Sequence, residues 1–351
     1  MVEMNSIDSS STIDHAGLWR GEELWARDDW EIRLTADEID QLERAVVRCA
    51  DREVDGIGQE HFVLGSFSER LKSAQCQLEN GAGFVYVRGL PVDRFDEGQL
   101  RRLFWGIAIH LGTPVSQSAA GERLFSVANA GYAPEDARSR GPNTSRKLSF
   151  HTDRCDVIGF CCHRQAKQGG ENYIVSSMAL YNAILEQRPD LLAVLCEPFY
   201  YLRHTVDGGN DRPWCRQPVF SFCEGQFAAN LLRVLIDRAH AHPDLPDLTP
   251  EQTEALDLVE ALSSDPAMHA TFRQEPGDMV FMNNWVTLHK RSAFEDWPEP
   301  ERRRHILRIW LSMPNSRPLD PMFSDNYGAV AAGALRGGMK PKTRTKKAQR
   351  T

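Results

Sequence analysis

Apolar positions along the chain change their period several times, and each change marks an element. Ile39, Leu42, Val46 and Cys49 share one face at helical spacing, behind Thr35 and Glu38, which stand three apart as in a capping box. A second helical pattern runs through Leu64, Phe67, Leu71, Ala74 and Leu78 and stops at Asn80-Gly81. Residues 84–87 are a short run of β-branched and aromatic character, closed by Gly89 and Pro91, and predict a strand. Leu100, Leu103, Phe104, Ile107 and Leu111 return to the helical period. The pattern becomes strand-like around Leu148-Ser149-Phe150-His151-Thr152-Asp153, where Leu148, Phe150, Val157, Ile158 and Phe160 predict a strand pair.

Beyond that point strands are predicted at 173–175, 279–282 and 305–311, and a hairpin at 219–223 and 226–229 around Glu224-Gly225. Pro189 is placed to begin a helix, another covers 231–239, and Thr249 with Gln252 caps a third that runs to Leu262. Many short strands, with helices at the N-terminus and in one insertion, suggest an α+β chain with a mainly β core: a strand-built barrel decorated by helices. Residues 1–20 are Ser- and Asp-rich and expected to be disordered. The segments 120–147 and 200–218 are expected as loops around a pocket, the first as a mobile lid. From Gly333 onward, Arg336, Lys340, Lys342, Arg344, Lys346, Lys347 and Arg350 read as a solvated tail. The expected organisation is one domain at 21–323, with a helical part at 21–80 and a core at 81–315, between a disordered N-terminus and a basic tail at 324–351.

Composition narrows the class. With 351 residues, 41% apolar and 26% charged, the chain can bury a large core. A net charge of -8 gives no reason to expect nucleic acid as a partner. No apolar run is long enough to cross a bilayer and residues 1–11 lack a signal core, so a cytoplasmic protein with a small-molecule substrate is expected. A homo-oligomer is compatible with this. The eight cysteines form no C-x-x-C pair and are expected to be reduced thiols.

The chemistry gathers on His151-Thr152-Asp153. On a strand, His151 and Asp153 project to one side, which offers a divalent metal two adjacent ligands. Cys155 would share that face as a packing or supporting residue. Several histidines compete as a third ligand. His240 and His242 sit in a loop at Pro243, and His163 lies beside Arg164 and Lys167, a poor setting for a cation. His289 follows the strand at 279–282 and would reach His151 in a closed fold. Two histidines and a carboxylate leave an octahedral metal three open positions, which suits non-haem Fe(II) better than zinc. In the last strand Arg304 and Arg308 share a face with Trp310, although the segment is too apolar for a solvent edge. Buried arginine requires an anionic partner, and its planar fork matches a carboxylate. Arg291 suits a structural salt bridge and a functional role equally, Trp310 suits core packing, and Trp285 is a candidate for the pocket mouth.

The stretches GFVYVRGLPVD (83–93), FWGIAIHLGTPV (104–115), LSFHTD (148–153), GGENYIVSS (169–177), PGDMVFMNN (276–284), LHKRSAF (288–294) and RRHILRIWLS (303–312) together resemble the taurine dioxygenase-like branch of Fe(II)- and 2-oxoglutarate-dependent oxygenases. The resemblance implies a double-stranded β-helix, or jelly roll. It implies Fe(II) held by His151, Asp153 and His289, and 2-oxoglutarate held at its distal carboxylate by Arg304, with O₂ as the other co-substrate. Asn172 stands where a threonine often assists Arg304. Arg308 matches a position that meets an anionic group of the primary substrate. The implied reaction is hydroxylation of an unactivated C–H bond of an amino acid-like or natural-product intermediate, with release of succinate and CO₂; desaturation or cyclisation would be other outcomes of the same chemistry. Asp153 argues against halogenation. A zinc hydrolase using the same three residues, and a non-catalytic binding barrel, are the alternatives from other classes.

Overall fold

The computed structural model describes residues 11–132, 141–204 and 207–340. In chain order these form β1 (Glu31–Arg33), α1 (Ala36–Arg48), α2 (Phe67–Asn80), β2 (Phe84–Arg88), α3 (Glu97–Leu111), β3 (Thr113–Pro114), β4 (Leu124–Val127), β5 (Val157–Arg164), β6 (Gln168–Gly169) and β7 (Asn172–Ser176). There follow α4 (Ser177–Gln187), α5 (Pro189–Cys196), β8 (Phe199–Leu202), β9 (Trp214–Gln217), β10 (Phe220–Cys223), β11 (Gln226–Ala229), α6 (Arg233–His240) and α7 (Pro250–Ser264). The chain continues through β12 (His269–Phe272), β13 (Met279–Asn283), β14 (Thr287–Arg291), β15 (Phe294–Glu295), β16 (His305–Ser312) and α8 (Ser324–Tyr327).

A seven-stranded mixed sheet runs in the order β1-β2-β13-β5-β16-β3, with β4 added on β16, and a three-stranded sheet has the order β12-β7-β14. Alternation assigns their faces. Val85, Val87, Met279, Phe281, Val157, Cys161, Leu307, Ile309 and Leu311 point to one side of the large sheet, where α1, α2 and α3 cover them with Leu42, Leu71, Leu103 and Phe104. The intervening Phe84, Tyr86, Val280, Met282, Ile158 and Trp310 point the other way, onto Ile174 and Ala270 of the small sheet. Val175 and Leu288 on the small sheet's far side meet α4, α5 and α7. The result is four layers: helices, large sheet, small sheet, helices.

The capping boxes expected at Thr35/Glu38 and Thr249/Gln252 are both present. Glu224 and Gly225 take φ of 50° and 78°, the left-handed pair that a two-residue hairpin turn requires between β10 and β11.

Several expectations need correction. The strands lie in separate sheets and close no barrel among the described residues. Residues 148–153 form no strand: the chain meets β14 at a Leu148 N–H to Arg291 O bond and a His151–His289 bridge and then turns away, because Thr152 and Asp153 bond to Leu231 and Asn284. Part of the loop expected at 200–218 is the β8–β9 hairpin. The expected disorder does not extend to Trp19, which is buried and donates its indole N–H to Ala82 O. Nor does a solvated tail begin at 324: Tyr327 is buried, and Arg336 is 2% exposed beside Asp156. Arg336, expected to be solvated, is instead paired with Asp156. The lid expected at 120–147 includes 133–140, and the extremes of both tails include 1–10 and 341–351; these lie outside the described residues. No helix among the described residues is long and apolar enough to cross a membrane. All eight cysteines are free thiols.

Candidate active site

The bridge between His151 and His289 is made by two reciprocal backbone hydrogen bonds of 3.0 Å, which set the two imidazoles side by side with centroids 4.5 Å apart. The Asp153 backbone N–H donates to Asn284 Oδ1 at 2.9 Å, and this turns the carboxylate inward. Its Oδ2 lies 3.5 Å from His289 Nε2. One donor atom from each of His151, Asp153 and His289 falls within 4.8 Å of the others. The sequence thus named three residues that the fold does bring together, 138 positions apart along the chain at the extreme (289 − 151).

Protonation favours a cation there. His151 Nδ1 lies 2.9 Å from Ser149 O, an acceptor only, so the ring hydrogen belongs on Nδ1 and the Nε2 lone pair faces the cluster. Burial and the neighbouring His289 lower the His151 pKa to about 4. Burial pushes the Asp153 carboxyl up, but the His289 imidazole 3.5 Å away and the Arg308 charge outweigh it and leave the carboxyl well below its ordinary range. Asp153 Oδ2 is buried without a hydrogen-bond partner among the described residues. A buried carboxylate oxygen left unsatisfied beside two imidazoles fits a metal ion in a way that a purely structural cluster does not.

Arg304 precedes β16 and is 4% exposed, yet its Nε and Nη1 have no hydrogen-bond partner among the described residues. Burial lowers its pKa to about 10. Arg291 lies close enough to add to the positive field, and burial followed by the Arg304 charge lowers its own pKa to about 9. Among the described residues Arg291 has no carboxylate partner; it donates to the carbonyls of Thr144 and Arg146 at 2.8 and 2.6 Å. The Phe294 ring lies under both guanidiniums, 5.0 Å from that of Arg304 and 4.7 Å from that of Arg291. Gly170 leaves space here, since a Cβ at that position would sit 3.4 Å from Arg304 Nε. Asn172, cross-strand from Arg291, has a buried Nδ2 that is also unpartnered. These orphan donors define a place for an anion.

Arg308 is buried, with Nε donating to Gln117 Oε1 at 2.7 Å while Gln117 Nε2 donates back to the Arg308 carbonyl at 3.0 Å. Its Nη1 is 3.9 Å from Asp153 Oδ1 and its guanidinium lies over the Trp310 ring. A cleft opens from Asp153 past Trp310, Tyr201, Leu235, Tyr327 and Met339. Trp310 therefore lines the cleft rather than serving only the core. Trp285 is fully buried and donates to Asp156 Oδ1, away from any mouth. Cys155 sits behind the cluster, with its Sγ 3.1 Å from Asn284 Nδ2, as a supporting residue. His240 bonds Pro246 O and stays apart from the cluster. Sequence reasoning missed Gln117, the Arg154–Asp207 ion pair at 2.5 Å in the cleft, and the contributions of Tyr327 and Met339. The adjacency of Arg154 to Asp153 was the only local signal.

The chain is similar to known proteins over most of its length. The sequence model described as "Taurine catabolism dioxygenase TauD, TfdA family" matches residues 50–310. FR-33289 synthase of Streptomyces rubellomurinus is 31% identical over 267 residues, covering 74% of this chain and 78% of that protein. The taurine hydroxylase-like protein SAT17 of Stachybotrys chartarum is 25% identical, covering 87% of this chain and 83% of its own length. Among solved structures, asparagine oxygenase with Fe(II), hydroxyasparagine and succinate superposes with a TM-score of 0.63 at 17% identity, covering 81% of this chain and 93% of that one. The non-haem iron oxygenase OrfP with Fe and α-ketoglutaric acid gives 0.59 at 14%, covering 80% and 94%. The structural likeness carries the fold, and the match over 50–310 carries the family: the chain belongs to the TauD, TfdA family and is a 2-oxoglutarate-dependent non-haem iron dioxygenase.

Proposed function

We propose that this enzyme hydroxylates an unactivated C–H bond of a small, anionic, amino acid-like or natural-product intermediate, with release of succinate and CO₂. His151, Asp153 and His289 hold Fe(II), and Arg304 with Asn172 holds the distal carboxylate of 2-oxoglutarate. Bound iron, with 2-oxoglutarate and O₂, supplies the oxidant for the C–H bond. The chain's own residues do the rest. Asn284 and Ser149 orient Asp153 and His151. The unsatisfied Nε and Nη1 of Arg304 offer two N–H groups to a carboxylate and offset its charge in a buried place. Arg308, held by Gln117, faces Asp153 and supplies a cation for an anionic group of the substrate. The apolar walls of Trp310, Leu235 and Met339 keep water from the reacting centre. The jelly-roll description belongs to this reading as well: the two facing sheets that hold the residues are its open, unclosed form.

The observation that carries the reading is the coincidence of an unsatisfied buried carboxylate oxygen on Asp153 with unsatisfied guanidinium nitrogens on Arg304. Hydroxylation is favoured over desaturation or ring formation by the hydroxylated amino acids named with asparagine oxygenase and OrfP. The test is Fe(II)- and 2-oxoglutarate-dependent succinate formation, followed by mass analysis of candidate amino acids. His151→Ala and Asp153→Ala are expected to abolish it, and Arg304→Met to weaken 2-oxoglutarate binding with metal uptake retained. Full turnover by either metal-site variant overturns the assignment.

A further inference from the structure

A second cluster of metal-ligating groups lies at the start of β16, outside the site described above. His163 on β5 and His305 on β16 come together where the register of that strand pair shifts between His305 and Ile306. Their Nδ1 atoms are 3.2 Å apart. Glu97, the first residue of α3, places Oε2 3.8 Å from His305 Nδ1. One donor atom from each of the three lies within 4.8 Å of the others.

The spacing matches a tetrahedral ion. With Zn–N distances of about 2.0–2.1 Å, two ligand nitrogens sit roughly 3.3 Å apart. The imidazole pair is already there, and Glu97 is half-exposed, free to close the remaining distance and leaving an entry path. His305 is buried, and its other ring nitrogen lies 3.1 Å from Ser126 Oγ, which can accept the Nε2–H that metal binding at Nδ1 requires.

Two cations made His163 a poor prospect from sequence. The structure disposes of one: Lys167 is paired with Glu295 at 2.5 Å. The other remains: Arg164 Nη1 is 3.2 Å from His163 Nδ1 and its Nη2 3.5 Å from His305 Nδ1, facing the atoms an ion would use, and Arg101 on α3 donates to Ser126 Oγ near by. A bound ion therefore requires the Arg164 guanidinium to swing away from both rings.

We propose that Glu97, His163 and His305 form a second binding site for a divalent transition metal of zinc type, separate from His151, Asp153 and His289. Three protein ligands leave the fourth position to water.

The test is titration of the metal-free full-length protein with Co²⁺, with bound ions counted by equilibrium dialysis and coordination read from the visible spectrum. Two ions per chain are expected in the wild type. One is expected in His163→Ala and one in Asp153→Ala, the latter retaining the intense tetrahedral Co²⁺ bands, which Zn²⁺ then displaces. Arg164→Gln, which removes a like charge, is expected to tighten the second ion several-fold. Glu97→Gln, at an exposed position that leaves folding intact, is expected to weaken it at least tenfold. A single ion in the wild type overturns the proposal, as do two ions retained in His163→Ala. Loss of binding in Asp153→Ala with retention in His163→Ala overturns it too. Because the two sites are emptied by different variants, failure here is distinct from failure of the iron assignment.

Discussion

At the scale of single residues, the site depends on side chains held in one protonation state by burial. His151 and His305 both have folded-state pKa values of about 4, against an ordinary value near 6.5. In the window between those values the unfolded chain binds protons that the folded chain does not. Stability must therefore rise with pH there and be lost as pH falls from about 6.5 through 4. Asp153, whose carboxyl is held low, adds to the loss below that window. The thermal midpoint of the metal-free protein is expected to drop by several degrees from pH 6.5 to 4, and less steeply in His151→Gln. A midpoint that stays level across this window would show that the buried imidazoles are not neutral as described. Such residues were legible where chemistry is local. His151 and Asp153 stand two apart, and Arg304 and Arg308 are unusual in an apolar strand. The Arg154–Asp207 and Asp156–Arg336 pairs were not legible, because 53 and 180 positions separate the partners and no spacing rule reaches that far.

At the scale of elements, strict alternation tells which side of each large-sheet strand meets helices and which meets the site. β16 is buried along its whole length, so only the partition of its residues into two cores separates Leu307, Ile309 and Leu311 from Trp310. Opposite it on β5, Gly159 occupies a helix-facing position. A Cβ there would lie 2.7 Å from Phe281 Cε1 and 2.9 Å from Ile309 Cγ2. Gly159→Ala is therefore expected to destabilise by about 1–3 kcal/mol through overpacking. Pairing it with Phe281→Leu should recover part of the loss. Urea midpoints of the three proteins check this, and an unchanged midpoint for Gly159→Ala would mean that the sheet and α3 yield at no cost. Elements with an uninterrupted period, such as α1, β2 and α3, were readable from sequence. The stretch at 148–153 had the pattern of a strand but lacks one, because Thr152 and Asp153 find partners in Leu231 and Asn284 rather than in a neighbouring strand. Alternation reports which residues are apolar, and a single bridge with a backbone bond before it and the Asn284 side chain after it satisfies it equally well.

At the scale of the whole molecule, the last described residues secure the site from behind. Asp156 lies three residues beyond Asp153, and its carbonyl accepts from the backbone N–H of Asn284, whose side chain orients Asp153. Its carboxylate accepts from Trp285 Nε1 at 2.8 Å, Met313 N at 2.8 Å and Arg336 Nε at 2.6 Å. The Arg336 and Asp156 side chains are 0% and 1% exposed. Nearby, Gly338 N donates to Arg154 O and Met339 reaches the cleft. The C-terminal segment is therefore part of the domain, joined to the metal-site backbone through one buried ion pair. Removing one partner of such a pair leaves a charge uncompensated in low dielectric, which costs on the order of 3–5 kcal/mol, whereas neutralising both costs far less. Arg336→Met alone is expected to lower stability by that amount. Arg336→Met with Asp156→Asn should regain part of it, since the asparagine carries no charge and its one carbonyl oxygen still accepts from either Trp285 Nε1 or Met313 N, which meet different carboxylate oxygens. Chemical denaturation of the two variants, each compared with wild type, decides the matter. If the double variant falls as far as the single one, the segment is held by its apolar contacts and the ion pair contributes nothing of its own.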